Sequence, residues 1–76
     1  MKTIHITHQP VELYKLLKME SLASSGGEAK QLIADGLVQV NSELELRKRR
    51  KMLHGDIIEF DLEQYRVICA PSEASD

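Results

Sequence analysis

The sequence has one cysteine, no tryptophan, and only two tyrosines and one phenylalanine. The lone Cys69 excludes an internal disulfide and any Cys-x-x-Cys metal knuckle, and it reads as a small buried hydrophobe. So few aromatics argue against a surface that binds single strands by stacking base after base. Long apolar runs are missing too. No stretch approaches the roughly 18 residues of a membrane helix, and Met1-Lys2 leads into no apolar signal segment, so a cytoplasmic protein is expected.

The motifs of the nucleophile elbow, the zinc proteases, the phosphate-binding loop and the dinucleotide fold are also absent. No paired acid and base stands out, so a non-enzyme without cofactor is expected. His5 and His8 have the separation of some zinc ligands, but no clustered Cys or His supplies the two further partners, so no metal site is read.

What is present fits one small domain. A chain of 76 residues buries only a modest core, which favours a working surface over a deep cleft. Residues 1–70 are read as a single domain and 71–76 as a flexible tail. The net charge of −2 hides an uneven distribution. Residues 1–51 carry nine Lys and Arg against six Asp and Glu, a surplus of +3, while residues 52–76 carry one against six, or −5.

Alternation at Ile4 and Ile6 predicts a strand over 2–6. Pro10 at a first helical position, with Leu13, Leu16 and Leu17 following, predicts a helix over about 10–19, and Tyr14 is expected to pack beside it. Ser25 and Glu28 fit a capping box that opens a second helix over about 26–35. Gly36 is placed to end that helix in a left-handed conformation. Residues 37–40 and 43–46 read as strands around an Asn41-Ser42 turn, and 57–60 and 64–69 as two more after a turn at His54-Gly55-Asp56. Phe60 is read as core.

The strongest local signal is Arg47-Lys48-Arg49-Arg50-Lys51, five cations in succession. Such a run repels itself unless solvent or a polyanion relieves it, and arginine forks match phosphate geometry. These side chains are expected to be solvated, alternating along an extended connection so that about three of them share a surface. Lys30 on the second helix and Lys15 and Lys18 on the first can extend that surface into one cationic face.

The stretch from Ser25 to Asn41, containing Ala29-Lys30-Gln31-Leu32-Ile33-Ala34-Asp35-Gly36-Leu37-Val38-Gln39-Val40, followed by Gly55-Asp56-Ile57-Ile58, resembles the RNA-binding domain family of ribosomal small-subunit protein four. The likeness covers about residues 10–69 and is closest to its small stand-alone bacterial members. It implies an α+β fold in which two helices lead into a small, mostly antiparallel sheet, forming an L-shaped helix–helix–hairpin surface. It also implies a non-catalytic protein that binds structured RNA, ribosomal or transfer RNA, as a monomer. Two positions depart from the family. Gly26 stands where an arginine often follows the capping serine, and Ser42 where glycine usually follows the hairpin asparagine. The first departure transfers weight to Lys30 and the 47–51 run, and the expected RNA contacts are Lys18, Lys30, Arg47, Lys48, Arg49, Arg50 and Lys51. The acidic 56–76 segment leaves an alternative open, a protein–protein adaptor in a translation or RNA-modifying complex.

Overall fold

The computed structural model describes residues 1–70, and the tail expected at 71–76 lies outside the described residues. In chain order the elements are β1 (Lys2–Ile6), β2 (Val11–Glu12), α1 (Leu13–Met19), α2 (Gly26–Ala34), β3 (Val38–Val40), β4 (Glu43–Leu44), β5 (Lys51–Met52), β6 (Ile57–Phe60) and β7 (Glu63–Cys69). Five strands form a mixed sheet in the order β1-β7-β6-β3-β4, with β1 parallel to β7 and the other pairs antiparallel. β2 and β5 form a separate two-stranded ladder. The fold is α+β.

The period of two explains the sheet's two faces. Ile4, Ile6, Val38, Val40, Ile58, Tyr65 and Val67 turn inward, while Thr3, Gln39, Gln64 and Arg66 stay exposed. The inward set merges with Leu13, Leu16 and Leu17 of α1, Ala29 and Ile33 of α2, and Met52 of β5 in one core. A seven-residue helix is too short to persist alone, so burial of its three leucines holds α1 in place. Phe60 and Cys69 are half-buried and pack against the rim of this core.

α1 starts at Leu13, three residues later than the proline signal predicts. Val11 and Glu12 are drawn into pairing with Met52 and Lys51, so the chain is still extended at Glu12 (φ −70°, ψ 142°) and Pro10 precedes a strand. Without a side-chain cap, the first amides of α1 find acceptors across the chain. Leu13 N–H donates to the Arg50 carbonyl (2.9 Å) and Tyr14 N–H to the Lys48 carbonyl (3.1 Å). The capping box of α2 is also shifted. Ser25 Oγ accepts from Glu28 N–H (3.1 Å), but the Glu28 carboxylate turns to Ser24, accepting from its hydroxyl (2.6 Å) and its backbone amide. Those bonds hold Glu28 below the usual carboxylate range.

Gly36 follows α2 at φ +78°, the left-handed stop that the sequence predicts. A Cβ there would lie 3.8 Å from Leu44 Cδ1, an ordinary contact, so conformation alone decides what fits. Gly36→Val is expected to cost about 1–2 kcal/mol, and thermal unfolding should move down by roughly 10 °C.

The β3–β4 turn places both Asn41 (φ 52°) and Ser42 (φ 71°) in the left-handed region, so Ser42 occupies a conformation that glycine adopts more cheaply. The asparagine also reaches beyond its own turn. Its amide donates to Asp56 Oδ1 (3.1 Å) and its Oδ1 accepts from Ile57 N–H (3.0 Å), while Asp56 Oδ2 accepts from Leu53 N–H (2.8 Å). Asn41 and Asp56 thus clamp the hairpin to the turn before β6.

Candidate nucleic-acid interface

The five-cation run does not extend as a strand. Arg50 N–H donates to the Arg47 carbonyl (3.3 Å) and closes a turn, and regular pairing resumes only at Lys51. The turn is fastened to the start of α1 by the two bonds from Leu13 and Tyr14. This corrects the expected alternation: Arg47, Arg49, Arg50 and Lys51 together line one shallow hollow of about 540 Å³. A concavity walled only by cations suits an anion with several oxygens.

Nor are all five side chains simply solvated. Glu45 lies just before the run and is buried, with 5% of its surface exposed. Its Oε2 accepts from Arg47 Nε (2.8 Å) and Arg47 N–H (3.0 Å), and its Oε1 accepts from Arg47 Nη2 (3.0 Å) and Arg50 Nη1 (2.9 Å). Arg50 is half-buried as a result. β4 ends at Leu44, short of the strand expected through Leu46, although Glu45 N–H still donates to the Val38 carbonyl (3.1 Å). The Arg47 hydrogen bonds lead in lowering the Glu45 pKa to about 2, with burial opposing them and Arg50 assisting. The same pairing raises the Arg47 pKa.

Tyr14 gathers three further cations. Lys30 Nζ of α2 lies 4.7 Å from its ring centroid, the Arg49 guanidinium 5.4 Å and Lys15 Nζ 6.0 Å. Each distance falls within reach of the attraction between a cation and the ring face. Glu12 shares in this cluster, with its Oε1 3.4 Å from Arg49 Nη1 and 3.7 Å from Lys15 Nζ. Lys15, Lys30 and the five-cation run supply seven positive charges against the two carboxylates Glu12 and Glu45, leaving a strong local surplus.

The structure therefore brings Lys30 and Arg49 onto one ring, with Arg47, Arg50 and Lys51 around the adjoining hollow. Lys48 is exposed on the same turn. Lys18 stands apart from the ring and borders a groove between α1 and the end of β1, alongside Tyr14 and Lys15. Tyr14 and Glu45 were not read as part of this region from sequence, and Lys15, read as extending the cationic face, was left out of the seven expected contacts. A tyrosine directly before a lysine at the start of a helix, and a glutamate two residues before a basic run, were the available signals.

A family described as "S4 domain" matches residues 4–68. The chain belongs to the S4 domain family. Among S4 domain relatives, YbcJ of Escherichia coli strain K12 is 45% identical over 53 residues, covering 70% of this chain and 76% of YbcJ. The Bacillus subtilis strain 168 protein named "Probable ribosome maturation protein RlbA" is 34% identical over 58 residues, 76% of this chain and 82% of that one. The solution structure of YbcJ, described as revealing an αL motif involved in RNA binding, covers 91% of this chain and 89% of its own at 38% identity, with a TM-score of 0.69. The 30S ribosomal protein S4e of Thermoplasma acidophilum matches with a TM-score of 0.66 at 30% identity, over 78% of this chain and 31% of that one.

Against the S4 domain pattern, Gly26 is informative. A Cβ at this position would sit 3.5 Å from Tyr14 Cε2, so a side chain there would meet the edge of the ring. With no side chain at position 26, Lys30 and Arg49 are the cations that lie nearest this ring.

Proposed function

We propose that this chain is a non-catalytic module that binds structured RNA, ribosomal or transfer RNA, as a single cytoplasmic chain. The observation that carries the reading is the all-cation hollow of Arg47, Arg49, Arg50 and Lys51, joined through Arg49 to the Tyr14 ring and Lys30. The RNA-binding motif described for YbcJ and the ribosomal names of two relatives support it. The L-shaped helix–helix–hairpin surface belongs to this proposal. Phosphate neutralisation supplies affinity, and the shape of the surface selects folded RNA, since the rings available for stacking are few and Tyr14 is already flanked by cations.

The test is a titration of fluorescent ribosomal and transfer RNA fragments at several salt concentrations. With three to five phosphates neutralised, log affinity should fall against log salt with a slope of about −2 to −4. A flat dependence overturns the reading.

A second reading, a protein–protein adaptor, is favoured by a hollow between the start of β3 and the β6–β7 turn. There Leu37 and Leu62 are exposed beside Glu59 and Asp61. Association with a protein that survives high salt in the absence of RNA would select it.

A further inference from the structure

The groove that Lys18 borders is separate from the cationic hollow and larger, about 690 Å³, within the roughly 300–1,000 Å³ range of small-molecule sites. Its floor is apolar, formed by Ile6 and Val11, with Met19 exposed at its lip. None of its lining residues is acidic. Lys15 is shared with Glu12, but among the described residues Lys18 has no ion-pair partner. The groove is continuous with the cationic cluster, because Tyr14 and Lys15 serve both. An occupant that suits an apolar floor and a free ammonium group must pair a flat, weakly polar body with a negative charge. A nucleotide does so.

We propose that this groove holds one unpaired nucleotide of the bound RNA, its base against Ile6, Val11 and Met19 and its phosphate on Lys18. The proposal rests on the RNA-binding reading and refines it: the cationic hollow holds the folded backbone, while the groove takes a base that leaves the helix. Phosphate contacts alone cannot tell a blunt helix from one with a protruding nucleotide. The groove can.

The experiment compares a blunt RNA hairpin with the same hairpin carrying a short single-stranded overhang labelled with 2-aminopurine. The overhang should tighten binding about tenfold, the effect of burying one base against apolar surface, and the probe's fluorescence should change on binding. Met19→Gln keeps the length of the side chain but makes the lip polar without adding a charge beside Lys15 and Lys18, and should erase most of that tenfold gain while leaving blunt-hairpin affinity unchanged. Met19→Leu should keep the gain. Met19 is exposed, so thermal melting of both variants should match the wild type. Adenosine monophosphate alone, titrated at millimolar concentration, should shift the backbone NMR signals of Ile6 and Val11. Equal affinity for the two RNAs, with the blunt hairpin still bound in a salt-dependent way, overturns the groove and leaves the RNA-binding reading standing. Failure to bind either RNA overturns both.

Discussion

Replacing Lys48, Arg49 and Lys51 together by glutamine should weaken binding to structured RNA about 100-fold at 0.15 M salt and make the salt slope shallower by about 2 to 3, while the melting temperature stays near that of the wild type. These three cations, two on the turn and Lys51 at the start of β5, have no buried partner among the described residues. Lys48 and Lys51 are exposed, and the contacts of Arg49, with Glu12 at 3.4 Å and with the Tyr14 ring at 5.4 Å, lie at the surface, where each adds little to stability. The loss should be similar for unrelated RNAs, because a phosphate contact positions the protein without reading bases. Circular dichroism and salt-series titrations on the same preparation separate a lost contact from a lost fold. A folded triple variant with wild-type affinity and slope would remove the basic turn from the mechanism.

Arg47 and Arg50 should behave differently. Glutamine at both leaves the Glu45 carboxylate buried without its cations, which should cost on the order of 2 kcal/mol and lower the melting temperature by roughly 10 °C before any RNA is added. The same triad makes stability depend on acid. Glu45 ionises at about 2 in the folded chain against an ordinary value of 4.5, so its stabilising contribution is complete above pH 4.5 and is lost as pH falls from there toward 2. Thermal melts from pH 6 to pH 2 should show this fall in the wild type. Glu45→Gln should start from lower stability at pH 6 and decline less. Equal declines in the two proteins would mean that other carboxylates carry the acid sensitivity.

The difference between the two halves of the basic run shows what the sequence could reveal. Local signals were legible where both partners lie within a few residues. Ser25 and Glu28 mark the start of α2, Gly36 its end, and alternating apolar residues mark β1, β3 and β7. They failed where the partner is distant. Pro10 suggested a helix start because nothing nearby tells that Val11 and Glu12 pair with Met52 and Lys51, about 40 residues on. The turn geometry of the basic run is set by carbonyls that accept from Leu13 and Tyr14, which no reading of residues 47–51 alone contains. Tyr14 does pack against the core as expected, but its role among the cations was hidden because they come from three elements, Lys15 beside it, Lys30 on α2 and Arg49 on the turn. The lysines and arginines themselves were easy to find. Their division into those that hold Glu45 and those that remain available came from the fold.

The parallel pairing of β1 with β7 sets the order in which the chain can assemble. Lys2 lies opposite Tyr65 and Ile6 opposite Cys69, so this pairing closes a loop of more than 60 residues, whereas the α1–α2 and β3–β4 contacts join near neighbours. Closing the long loop carries the larger entropic cost and should come late in folding, after the local units exist. As the chain is synthesised, β1 has no partner strand until β7 has been made. Ile4 and Ile6 therefore wait longest for burial, and substitutions there should accelerate unfolding more than they slow folding.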